Sequence, residues 1–212
     1  MPILDEMKVI DITPVISSRL AVFPGDQAFS QQVSMDMHHG DNLTLSSIQT
    51  TVHLGAHTGA PNHYSVSGSS MEKRSLNYYL GTAQVITIPC RMGARIASQD
   101  LANIKIQAPR VLFKTGSFPD PNHWNSDFMS LSAELIEYLA KHQVKLVGID
   151  TPSIDLAEDK VLQSHHAVAK YDMAILEGIV LDQVADGIYQ LVALPLPIEG
   201  ADASPVRAIL LK

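Results

Sequence analysis

The stretch His53-Leu-Gly-Ala-His57-Thr-Gly-Ala-Pro-Asn-His63 holds three of the chain's nine histidines within eleven residues. Neutral imidazole is the commonest protein ligand for zinc and related metals, and it titrates near neutral pH. These histidines could therefore hold a cation or move protons. Gly55, Gly59 and Pro61 interrupt the stretch, which disfavours a regular helix and lets the backbone turn tightly enough for the imidazoles to converge. From these residues alone, a metal or acid–base site and a histidine-rich surface loop stand as equal alternatives. No carboxylate lies within the stretch.

Two later segments add chemistry. His165 and His166 open a short helical segment, and Glu177 sits in the apolar run Met173-Ala-Ile-Leu-Glu-Gly-Ile-Val-Leu181. A carboxylate among such neighbours is costly to bury unless it meets a cation, a metal or hydrogen-bond donors. Alternate strand residues face opposite ways, so an outward-facing position for Glu177 is the competing reading.

The elements that must position these groups follow from apolar periodicity. Val9–Ile12, Leu43–Val52, Ala83–Ile88, Arg110–Lys114, Val144–Ile149, Ala174–Glu177, Tyr189–Leu194 and Val206–Leu211 read as strands. The strand at 43–52 feeds the histidine stretch. A helix is predicted from Ser132, a natural N-cap, to His142, with Leu135, Ile136, Leu139 and Ala140 on one stripe. Ser164–Tyr171 reads as a short helix and Leu76–Leu80 as a helical turn. Many strands and few helices point to an α/β chain with a mostly antiparallel or barrel-like sheet.

At 212 residues, without an internal repeat or linker, the chain reads as a single domain spanning 1–212. Charged residues make up only 17%, which suggests that a partner, such as a second copy, covers some apolar surface. The net charge of −7 and the lack of any Lys/Arg run argue against nucleic acid or an anionic membrane. Cys90 is the one cysteine, so no intrachain disulfide is possible and a reducing cytoplasm is the expected compartment. The opening Met-Pro-Ile-Leu-Asp-Glu-Met-Lys is too acidic for a signal peptide, and no apolar run is long enough to span a bilayer.

Several longer strings carry a family likeness. They are Phe23-Pro-Gly-Asp26, the histidine stretch, Lys145-Leu-Val-Gly-Ile-Asp-Thr-Pro-Ser-Ile154, His165-His-Ala-Val168, Ile175-Leu-Glu-Gly-Ile-Val-Leu-Asp182, Leu194-Pro-Leu-Pro197 and Asp202-Ala-Ser-Pro-Val-Arg207. On these the chain closely resembles the bacterial kynurenine formamidases, or arylformamidases, in the cyclase-like family of metal-dependent hydrolases. The resemblance implies a compact domain of the swivelling β/β/α, cyclase-like fold, usually assembled as a homodimer. It also implies hydrolysis of N-formyl-L-kynurenine to L-kynurenine and formate, a step of tryptophan catabolism.

The family's histidine motif reads His-x-Gly-x-His-x-Asp-x-Pro-x-His. Carried over, His53 and His57 are implied ligands of a first divalent ion and His63 the catalytic acid–base. His165 and Glu177 match ligands of a second ion, with His166 an extra neighbour. Zinc is the implied metal and manganese the alternative. Phe23 stands where the family places an aromatic wall for the small aromatic substrate, usually Trp. Gly59 departs from the pattern, because the family has a metal-bridging aspartate there; Asn62 replaces an apolar residue nearby. A same-fold hydrolase of another cyclic amide, imide or ester, and a non-catalytic binding protein, are the alternative readings.

Overall fold

Fully apolar runs make the centre of the molecule and alternating ones its edges. The structure is a computed structural model that describes residues 7–212, so most of the segment read as too acidic for a signal peptide lies outside the described residues. In chain order the strands are β1 (Val9–Asp11), β2 (Ser30–Met35), β3 (Leu45–Gln49), β4 (His57–Gly59), β5 (Leu80–Thr87), β6 (Arg95–Ile96), β7 (Arg110–Lys114), β8 (Ser130–Leu131), β9 (Leu146–Ile149), β10 (Ala174–Leu176), β11 (Gly187–Val192), β12 (Ala203–Pro205) and β13 (Ile209–Leu211). The α-helices among the described residues are α1 (Pro61–Tyr64), α2 (Ala133–Lys141) and α3 (Gln163–Lys170). None is long and apolar enough to cross a membrane.

Seven strands form one curled sheet in the order β1-β13-β11-β5-β7-β9-β10. The pairings from β1 to β5 are antiparallel, and those from β5 to β10 are parallel. The antiparallel character expected from the sequence therefore holds for one half of the sheet only. Parallel neighbours need a crossover: α2 supplies it between β7 and β9 and α3 between β9 and β10, while the β5-to-β7 crossover runs through β6 and a 3-10 turn at Ser98–Leu101.

Burial on both faces explains why these strands read as near-continuous apolar runs. Val111, Phe113, Val147, Ile149 and Ile175 face α2 and α3, where Leu135, Ile136, Leu139 and Val168 meet them. Leu112, Leu146, Ala174 and Leu176 point the other way, onto Tyr79, Tyr189, Leu191 and Leu210. The predicted α2 stripe is the buried one, and the Ser132 side chain accepts from the Leu135 N–H as an N-cap.

Three smaller pairs complete the fold: β2 with β3, β6 with β8, and β4 with β12. The last pair was not legible from periodicity, and it carries the histidine stretch. His57–Gly59 is extended, and a single turn of helix, α1, follows with Pro61 at its start. A helical turn forms after all within the stretch, because proline at the first helical position loses no hydrogen bond.

Candidate active site

A two-way backbone bridge builds the centre of the site. The His57 N–H donates to the Glu177 carbonyl at 3.0 Å, and the Glu177 N–H to the His57 carbonyl at 2.9 Å. Directly opposed residues of an antiparallel bridge present their side chains on the same face. The two side chains meet, with His57 Nε2 3.2 Å from Glu177 Oε2. Glu177 is thus buried, at 3% exposure, and paired, rather than turned to solvent. Gly178 makes the close approach possible: its φ is +66°, and a Cβ there would stand 2.1 Å from the Gly55 carbonyl oxygen.

α3 delivers His165 to the other oxygen of the same carboxylate, with Nε2 3.6 Å from Oε1. Asp155 fixes that imidazole. It accepts from His165 Nδ1 at 2.8 Å and from the Ser164 and His165 N–H groups, so one carboxylate both orients the ring and caps the first turn of α3. Arg95 pairs with Asp155 at 2.7 Å and also with Asp159. His166 is exposed on the opposite side.

Electrostatics follow from this packing. Burial alone would raise the Glu177 pKa, but the His57 hydrogen bond, the nearby charges of His165 and His57, and the Ile154 N–H hold it at about 2. Burial works against the charged form of His57, yet the Glu177 hydrogen bond and charge raise its pKa. His53 is pushed the other way, by burial and then by the charge of His57. Asp155 is held well below the usual carboxylate range: burial opposes this, and His165 and Arg95 outweigh it.

His53, from the loop before β4, and His63, from α1, lie outward of this pair with ring centroids 4.3 Å apart. Both touch Asp202, which ends the loop before β12: Oδ2 is 2.9 Å from His53 Nε2 and 3.2 Å from His63 Nδ1. Phe23 packs edge-on against Trp124, with centroids 5.0 Å apart. His53, His57, His63, His165, Glu177, Asp202 and Phe23 all line one cavity of about 720 Å³. Asn62 does not line it; its amide nitrogen turns to the Gly200 carbonyl, 3.3 Å away.

The donor set suits a divalent cation. His57 Nδ1 is engaged by the Gly55 carbonyl at 2.9 Å and His165 Nδ1 by Asp155, so both rings present Nε2 to Glu177. Imidazole nitrogens converging on a carboxylate, each ring fixed from behind by a carbonyl or carboxylate, is the arrangement zinc and similar ions require. His53, His63 and Asp202 offer a further three ligand atoms, all within 4.8 Å of one another. Sequence reasoning missed Asp155, Asp202 and Trp124. The two aspartates fall in or next to strings that carried the family likeness, but nothing in their spacing pointed at the histidines.

Comparison with known proteins shows the family. The Cyclase family profile matches residues 10–156. The kynurenine formamidase of Bordetella pertussis is 42% identical over 202 residues, covering 94% of this chain and 96% of that protein. A solved "potential metal-dependent hydrolase with cyclase activity" superposes with a TM-score of 0.83 at 28% identity, covering 97% of this chain and 98% of that one. A "predicted metal-dependent hydrolase" from Bacillus stearothermophilus gives a TM-score of 0.82 at 29% identity, with the same coverage of 97% and 98%. On sequence and on fold alike, this chain belongs to the Cyclase family.

Proposed function

We propose that the chain is a single-domain, metal-dependent arylformamidase that hydrolyses N-formyl-L-kynurenine to L-kynurenine and formate, in cytoplasmic tryptophan catabolism. The observation that carries the reading is the convergence of His53, His57, His63, His165 and Glu177 on one aromatic-walled cavity, in a chain 42% identical to a kynurenine formamidase. His53, His57, His165 and Glu177 would hold the ion or ions, zinc by donor chemistry with manganese the alternative. When bound, such an ion polarises a carbonyl oxygen and lowers the pKa of water.

The chain's own groups do the rest. Phe23, braced by Trp124, offers a flat wall for the substrate's aminophenyl ring. His63 lies at the cavity surface with its side chain one-third exposed. It takes a proton from the attacking water and delivers it to the arylamine nitrogen as the C–N bond breaks and formate leaves. The cavity volume falls in the range of small-molecule sites.

The test is formamidase activity with metal content measured alongside. The natural protein should hydrolyse N-formyl-L-kynurenine, lose activity to a chelator and regain it with Zn²⁺ or Mn²⁺. His63→Ala should lower kcat by about 10²–10⁴-fold while keeping its metal, the range of a general acid–base. Loss of metal together with rate would make His63 a ligand instead. No turnover of N-formyl-L-kynurenine by the metal-loaded natural protein would favour another amide or ester substrate.

The protein is also proposed to work as a homodimer. β2 and β3 form a hairpin with little cover on either face, and Val33, Leu45 and Ile48 are 51%, 52% and 65% exposed. A two-stranded hairpin is marginal in water unless something packs on it, and a second copy would do so. Light scattering at micromolar concentration should give about twice the chain mass, and Ile48→Glu should shift it toward one. A natural chain that runs as a monomer would count against this assembly. Cys90, a free and exposed thiol, accords with a reducing compartment.

A further inference from the structure

Gly59, where the family resemblance implies a metal-bridging aspartate, offers no side-chain ligand atom. A Cβ at residue 59 would face Ile175 Cδ1 at 3.0 Å and Tyr64 Cε1 at 3.8 Å, an apolar corner. A carboxylate does reach the histidines from the facing strand. β12 pairs with β4 so that Ala203 lies opposite Gly59, and the Ala60 N–H donates to the Asp202 carbonyl at 2.7 Å. This places Asp202 one residue from the empty position, across the ladder. Of the six carboxylates lining the cavity among the described residues, Glu177 and Asp202 are those within 4 Å of a histidine of the 53–63 stretch.

One oxygen of Asp202 contacts two imidazole nitrogens, at 2.9 and 3.2 Å. Ligands of a tetrahedral ion with bonds of about 2.0–2.2 Å sit roughly 3.3–3.6 Å apart, so an entering cation need spread the Asp202 oxygen and His53 Nε2 by only about half an ångström, with His63 left free for proton transfer. We propose that Asp202 supplies from β12 the carboxylate that residue 59 lacks, and that the ion held by His53 takes Asp202 as its anionic ligand. The inference rests on the metal-site reading above and changes it in one respect: the carboxylate arrives from the C-terminal strand, 149 positions from His53.

Metal binding itself tests this. Metal-free protein is titrated with Co²⁺, read by visible d–d absorption and by calorimetry, for the natural chain, Asp202→Asn and Asp202→Ser. Both variants should bind Co²⁺ at least tenfold more weakly than the natural chain. They should melt within a few degrees of the natural chain in chelator, since a half-exposed pairing such as that of Asp202 with His53 and His63 contributes little and the Asp202 carbonyl keeps the Ala60 bond. Two variants of different size guard against one that misfolds. A natural chain that binds Co²⁺ while both variants bind it within twofold would overturn the role of Asp202 and leave the metal site standing. A natural chain that binds no Co²⁺ would overturn the metal-site reading itself.

Discussion

Glu177→Gln should lower kcat/KM for N-formyl-L-kynurenine by about 10³-fold or more. A catalytic cation contributes several kcal/mol of charge stabilisation, and each 1.36 kcal/mol is a decade in rate, so its loss reaches about three decades. Glu177 is the residue on which that cation would most depend, because its two oxygens meet His57 and His165 from opposite sides. The same substitution acts on the metal-free fold. Removing one partner of a buried charge pair costs about 3–5 kcal/mol. Glutamine keeps an acceptor and His57 can lose its proton, so the low end of that range applies. At about 2–4 °C per kcal/mol for a chain of this size, melting in chelator should fall by roughly 6–12 °C. Activity assayed with saturating Zn²⁺ and melting in chelator separate the two effects. A variant with the natural rate would remove the metal centre from His57, His165 and Glu177.

Gly59→Asp is the second large effect, and the packing around Ile175 decides its sign. Alone it should destabilise, because the new Cβ meets Ile175 Cδ1 at 3.0 Å and Ile175 is fully buried. Overpacking of this kind costs about 1–3 kcal/mol. Pairing it with Ile175→Val removes the obstructing methyl, at about 0.5–1.5 kcal/mol for the isoleucine change itself. The natural chain should carry fewer than two ions per molecule. The double variant should raise both metal content and kcat/KM, the latter about tenfold or more if a bridging ligand matters at least as much as outer-shell partners worth 10–100-fold. Metal analysis of purified protein and steady-state kinetics check both numbers. Asp202 serves the ion at His53 and bridges to no second one, so two ions in the natural chain would show that the pair needs no bridging carboxylate and would overturn this prediction. Two ions in the double variant without a gain in rate would mean that the cavity serves another substrate.

Much of the frame was legible before the structure. β7 keeps the Arg110–Lys114 bounds read from its apolar run, and α2 starts at its Ser132 cap because capping and amphipathicity are local rules. β4 and β12 were not read as strands. Each is three residues long, too short for a period, and each is extended by pairing with a distant segment, the two with one another and β4 also with Glu177. The sheet's parallel half was also missed, since strand direction depends on where α2 and α3 cross rather than on any strand's composition.

The site divides along the same line. Residue types and local context singled out His53, His57, His63, His165 and Glu177 as groups able to bind a metal or carry a proton; the family resemblance, not spacing, implied Phe23 as an aromatic wall and Gly59 as a missing ligand. Imidazole, carboxylate and aromatic chemistry are properties of single residues, and a histidine motif is a local pattern. Tertiary structure alone decided that Glu177 faces His57 rather than solvent, that Asp155 fixes His165, that Ile175 fills the corner beside Gly59, and that Asp202 touches His53 and His63. Those outcomes depend on strand register and helix crossover between segments up to 149 residues apart, distances at which sequence spacing carries no geometric information.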